Sequence, residues 1–197
     1  MIVGLTGGIG SGKSTIASFF KEFNVAIYIA DVEAKKLMHT SNAIKRKLIE
    51  EFGANAYQNN QLNKKYIADI VFSDKSKLNA LNKIVHPEVA KHFQDFVFKN
   101  SDKEYILYEN AILFESRANI KCDFVITVTA PLNTRIQRVV DRDGATNKEV
   151  LQRIKNQWKE EKKVLQSNYI IQNIFLKNSK IEIVRIHKIL RKKHLFI

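Results

Sequence analysis

The sequence predicts an α/β fold of the doubly wound kind, a parallel sheet covered by helices. Three observations predict it. Short apolar runs alternate with helical periodicities along the chain, the β–α–β rhythm of a parallel sheet. The first such unit encloses Gly7-Gly8-Ile9-Gly10-Ser11-Gly12-Lys13-Ser14, which fits the phosphate-binding pattern G-x-x-x-x-G-K-[ST]. Phe124-Val125-Ile126-Thr127-Val128 is almost continuously apolar, as a strand buried on both faces must be.

Composition bounds the rest. The 197 residues suffice for one α/β domain, 1–197, with a modest insertion. At 45% hydrophobic the chain is that of an ordinary globular protein. No apolar run approaches the ~20 residues of a membrane helix, and a strand leading straight into the loop leaves no room for a signal peptide. The one cysteine, Cys122, cannot form an internal disulfide, so a cytoplasmic setting is expected. The net charge of +13 is uneven: residues 151–197 hold 12 Lys/Arg against 3 Asp/Glu. With no RNA-binding signature or row of stacking aromatics beside it, nucleic acid is not the expected partner.

The loop carries chemistry for physical reasons. Glycines supply the φ values a tight loop needs and let backbone N–H groups approach phosphate. The following helix, Ser14 to Phe23, adds its free N–H groups and positive dipole end. Its apolar positions Ile16, Phe19, Phe20 and Phe23 can pack on the sheet. Gly8, Ile9, Gly10, Ser11, Gly12, Lys13, Ser14 and Thr15 are therefore the expected ATP-binding residues. Lys13 would reach the β- and γ-phosphates, and the Ser14 hydroxyl would bind Mg²⁺.

Ala26–Ile29 is the second strand, followed at once by Asp31 and a helix over Val32–Met38. An acid there lies at the carboxyl edge of the sheet, where ligands of such folds bind. It can accept a proton from an attacking hydroxyl, or it can simply cap the helix. Residues 41–100 lack strand alternation. Ser41 or Asn42 caps a helix carrying Ile44, Leu48 and Phe52, which Gly53 ends; Asn59-Asn60 marks a turn. Lys64–Phe72 and Lys75–Val85 are shorter helices, and His86-Pro87 begins another with Val89, Phe93, Phe96 and Val97. Residues 32–104 therefore form an inserted helical subdomain able to hold an acceptor. His86 either binds substrate there or packs at a helix start.

Tyr105–Tyr108 is the third strand, ending at Glu109, which could assist Mg²⁺ through water or be a solvated loop acid. No clean apolar strand ends in Asp, so a standard Walker B aspartate is missing. After the fourth strand, Leu132–Arg142 is a basic helix with Arg138 and Arg142 on one face. Asp143-Gly144 ends it. Thr146 and Glu149 form a capping box, and Leu151, Ile154 and Trp158 share the face of the next helix. Paired helices with two arginines suit a lid, over 132–166, because guanidinium forks match phosphate oxygens; the alternative is a solvated cationic face. Tyr169–Ile171 is the last strand, and residues 178–195 form a basic helix.

At this point the chain resembles the dephospho-coenzyme A kinases, from about Val3 to Asn173. Leu5 through Thr15 is similar to that family's phosphate loop almost letter for letter. Asp31 falls on the last acid of its Asp-Ala-Asp, His86-Pro87 on its His-Pro, Ile112-Leu113-Phe114-Glu115 on its Leu-Leu-Phe-Glu, and Arg138-x-x-x-Arg142-Asp143 on its lid segment. Gln157, Lys163 and Asn173 keep its spacing. The chain departs at Ile29, where the family has the first acid, and at Ala111, Ser167-Asn168 and Ile174. The resemblance implies a monomer that transfers phosphate from MgATP to the ribose 3′-hydroxyl of dephospho-coenzyme A. Lys13, Asp31, Arg138 and Arg142 would be catalytic, and Asp31 and His86 would meet the acceptor. A nucleoside or nucleotide kinase is the nearest alternative. A nucleotide-dependent RNA-binding or regulatory protein using the basic tail is a second, from another class.

Overall fold

A computed structural model of the chain describes residues 1–194; residue 195, the last of the expected tail helix, lies outside them. Among the described residues the strands are β1 (Ile2–Thr6), β2 (Ala26–Ile29), β3 (Tyr57–Gln58), β4 (Gln61–Leu62), β5 (Ile106–Glu109), β6 (Phe124–Thr129) and β7 (Tyr169–Gln172). The helices are α1 (Lys13–Phe20), α2 (Ala30–Thr40), α3 (Asn42–Phe52), α4 (Lys64–Ser73), α5 (Lys75–Lys99), α6 (Leu132–Asp143), α7 (Asn147–Lys155), α8 (Glu160–Leu165) and α9 (Leu176–His194). The chain divides into two compact units, one of residues 1–29 with 100 onward, the other Ala30–Lys99.

The first unit is a five-stranded parallel sheet in the order β2-β5-β1-β6-β7, the expected α/β fold. Its core follows from the apolar runs. Val3 and Leu5 of β1, Leu107 of β5, and Ile126 and Val128 of β6 are buried against Ile16, Ala17 and Phe20 of α1 and Ile183, Ile186 and Leu190 of α9. The register decides what reaches the loop. Leu5 pairs with Glu109 on one side and Ile126 on the other, so β5 delivers Glu109 to the sheet edge from which the glycine loop leaves.

The second unit is helical except for the β3–β4 hairpin, a difference from expectation. Asn59 and Asn60 make its turn with φ of 49° and 63°, but strands of two residues are too short to show alternation. Ser41 caps α3, accepting from the Ile44 amide, and Ile44, Leu48 and Phe52 are buried. A second difference concerns His86-Pro87. The proline does not open a new helix; α5 runs through it from Lys75 to Lys99. Proline removes one helical hydrogen bond and crowds a carbonyl, a cost of about 3 kcal/mol. Val85, Val89 and Phe93 lie four apart across it and are all buried, and that continuous apolar stripe outweighs the local cost.

Candidate active site at the phosphate loop

The loop between β1 and α1 is held by the residues around it. Gly12 adopts a left-handed φ of 88° and hands over to Lys13, the first residue of α1. Lys13 is buried, and its Nζ donates to the Gly8 carbonyl at 3.3 Å. The Ser14 hydroxyl donates to Glu109 Oε1 at 2.9 Å. Glu109 is only 5% exposed, so it is no solvated loop acid. Hydroxyl and carboxylate together offer hard oxygens of the kind Mg²⁺ takes, and the residues present fit that ion. Sequence reasoning left Glu109 open because the end of Ile106–Glu109 does not read as a Walker B strand; only the pairing with β1 fixes its place.

The loop glycines make room for protein. A Cβ on Gly8 would fall on the Arg135 guanidinium, and one on Gly10, whose φ is 79°, would fall on the Arg135 backbone. Arg135 is 6% exposed; its Nε donates to the Ile9 carbonyl and its Nη1 to Glu160 Oε2, each at 3.0 Å. Burial raises the Glu160 pKa against the pull of Arg135. Arg135 thus braces the loop, a role its place in a basic helix did not reveal.

The two expected lid arginines separate. Arg138 donates to the carbonyls of Ser11 at 3.4 Å and Asn173 at 2.9 Å, so it stands at the loop. Arg142 is largely exposed and pairs with its neighbour Asp143 at 2.7 Å. That contact raises the Arg142 pKa and, through the same hydrogen bonds, lowers that of Asp143. Asn173 also belongs to the site: its Nδ2 donates to the Ser11 carbonyl at 2.9 Å, and its Oδ1 accepts from Ser179 at 3.2 Å. Buried Ser11 therefore carries on its carbonyl both an arginine and an asparagine, while its amide donates to Gly8 at 3.1 Å. Thr15 is an exposed residue of α1.

The turn after β5 organises the segment between α7 and α8. Glu115 Oε1 accepts from the Trp158 amide at 2.8 Å and pairs with Lys163 at 2.9 Å. Lys163 has no solvent exposure, and its Nζ also donates to the Ala111 carbonyl at 2.6 Å. Burial lowers its pKa and Glu115 opposes that shift. Phe114 stacks on Trp158 with centroids 6.2 Å apart. The α7 capping box forms as expected. The buried residue of α7 is Val150, however, and Leu151 is exposed, while Trp158 lies beyond the helix. Gln157 Oε1 accepts from the Ile9 amide of the phosphate loop at 2.8 Å.

Asp31 and His86 belong to the second unit. Asp31 sits in the first turn of α2, inside the helix and not ahead of it, two residues past the end of β2. That position does not suit a cap, whose residue precedes the helix. His86 lies inside α5 and not at a helix start; it is exposed, yet partial burial of its ring lowers its pKa. Burial pushes the Cys122 thiol up to about 12, which leaves it inert at neutral pH.

The family model described as dephospho-CoA kinase matches residues 1–178. A dephospho-CoA kinase of Bacteroides fragilis is 34% identical over 171 residues, 87% of this chain and 83% of that one. The Chlorobium chlorochromatii protein of the same name is 37% identical over 180 residues, 88% and 85% of the two chains. A solved structure from Thermus thermophilus superposes with a TM-score of 0.83 at 29% identity, covering 94% of this chain and 95% of that one.

Proposed function

The chain belongs to the dephospho-CoA kinase family, and from that premise we propose which of its residues carry the activity. The reaction is ATP-dependent phosphorylation of dephospho-coenzyme A, at the ribose 3′-hydroxyl, giving coenzyme A and ADP in the last step of coenzyme A biosynthesis. One observation carries the reading of the site. The loop, Lys13, Ser14, Glu109 and Arg138 converge at the carboxyl edge of a parallel sheet, where the ligands of such folds bind.

Gly8 through Thr15 hold the phosphates of ATP, with the N-terminus of α1 supplying amides and dipole. Lys13 leaves the Gly8 carbonyl for the β- and γ-phosphates and neutralises charge on the transferring group. Ser14 and Glu109 would hold Mg²⁺, whose chemistry is to shield phosphate charge. Asp31 accepts the proton of the acceptor hydroxyl and orients its oxygen; its support is its place just past β2 and the family's motif. The 32–104 insertion holds the acceptor, His86 included. Arg138 and Arg142, in the 132–166 lid, close on the phosphates and exclude water, which favours transfer over hydrolysis. A cytoplasmic location, supported by the single cysteine Cys122, and a monomeric state, supported by the family resemblance, accompany this reading. No helix among the described residues is long and apolar enough to cross a membrane.

Asp31→Asn tests the assignment: it should keep ATP affinity and lose most turnover, with ADP release and coenzyme A formation as readouts. Unchanged turnover removes Asp31 as the base. An acceptor panel of dephospho-coenzyme A, AMP, CMP and adenosine separates this activity from a nucleotide kinase.

A further inference from the structure

Ile9 is the only residue between Gly8 and Gly10, and both of its peptide groups are held by side chains from far along the chain. Its amide donates to Gln157 at 2.8 Å, and its carbonyl accepts from Arg135 at 3.0 Å. The loop around it contains Gly7, Gly8, Gly10 and Gly12. Four glycines in six residues leave the free backbone with an unusually large conformational freedom. A phosphate site works best when its amides are already aimed, because ordering them on binding weakens the complex.

We propose that Gln157 and Arg135 are positioning residues for ATP binding: they clamp the two peptides flanking Ile9 and so preset the shape of the phosphate loop. The far ends of the clamp are themselves anchored. Arg135 is bonded to Glu160, and Gln157 is followed by Trp158, whose amide is bonded to Glu115. Glu115 is tied in turn to buried Lys163. Glu115 lies in the turn that leaves β5, the same strand that places Glu109 on Ser14. The loop and the helix start after it are therefore both referred to β5: Ser14 through Glu109, and Ile9 through the 157–163 segment. The arrangement also accounts for glycine at positions 8 and 10, which the phosphate-binding pattern leaves free; a side chain at either would strike Arg135.

This inference rests on the loop being the ATP site, and the test separates the two. MgATP dissociation constants, kcat, KM for dephospho-coenzyme A and thermal midpoints are measured for the wild type, Gln157→Met, Arg135→Lys and the double variant. Methionine keeps the length of Gln157 and removes its strong acceptor. Lysine keeps the charge facing Glu160 but cannot reproduce a guanidinium fork. Each single variant should weaken MgATP about three- to tenfold, the worth of one hydrogen bond. KM for the acceptor should hold, and Gln157→Met should melt within a few degrees of the wild type. The double variant should lose less than the product of the singles, because both act through Ile9. MgATP affinity equal to the wild type in both single variants overturns the clamp. So does a weakening shared equally by both substrates and tracking a fall in melting temperature. A wild type that binds no MgATP would defeat the reading of the loop itself, and the clamp with it.

Discussion

Replacing Glu115 by glutamine should destabilise the fold while leaving the size of the side chain almost unchanged. Lys163 is fully buried, and its ammonium has Glu115 Oε1 at 2.9 Å and the Ala111 carbonyl at 2.6 Å. Burial already lowers the Lys163 pKa, so the charged form depends on its counter-charge. Glutamine is nearly isosteric and can still accept from the Trp158 amide, so the substitution removes the charge alone. Breaking a buried pair from one side costs about 3–5 kcal/mol. In a chain of this size each kcal/mol moves the melting temperature by roughly 2–4 °C. Glu115→Gln should therefore melt about 6–20 °C below the wild type, with a matching fall in the urea midpoint. Adding Lys163→Met removes the stranded ammonium and should restore most of that loss, since an apolar replacement of a buried pair is often neutral. A single variant within about 2 °C of wild type, or a double variant less stable than the single one, would refute the reasoning.

Arg138→Ala loses charge-assisted bonds to two carbonyls and should weaken MgATP about tenfold or more. Arg142→Ala loses only an exposed pair with Asp143, so its MgATP affinity should stay within about threefold of wild type while kcat falls; kcat untouched in both removes the lid assignment. Gly8→Ala fits its backbone, which is not left-handed, yet its methyl displaces the Arg135 guanidinium. It should weaken MgATP about three- to tenfold and add little to Arg135→Lys, as titration of ATP binding will show. His187 is buried, with Tyr105 at 3.0 Å from Nδ1 and Phe23 stacked on it. Burial lowers its pKa; Arg191 adds to that shift and Glu104 opposes it. The unfolded chain thus takes up the proton first as pH falls. Stability is complete above about pH 6.5 and should decline below it; urea midpoints from neutral pH to about pH 5 should fall less steeply in His187→Gln.

The layered α/β core and the phosphate loop were legible in the sequence, because both are local. Apolar runs of strand length must be buried, and Gly7 through Ser14 must form a tight loop between the strand before it and the helix after it. Several helix ends were legible for the same reason: Ser41 and Thr146 cap by contacts within three residues. The residues that complete the site were decided by tertiary structure, because their partners are far apart in sequence. Glu109 meets Ser14 only through the pairing of β5 with β1. Arg135, Arg138 and Arg142 read alike as basic residues of one helix. Packing made Arg135 a buried brace, set Arg138 on Ser11, and left Arg142 with Asp143. The same limit explains α5, where a proline that looks locally like a start is carried through by buried residues on either side. Local chemistry can be read from neighbours in the chain. Which distant side chain satisfies a buried amide or carboxylate depends on strand order and helix placement, which the whole fold settles.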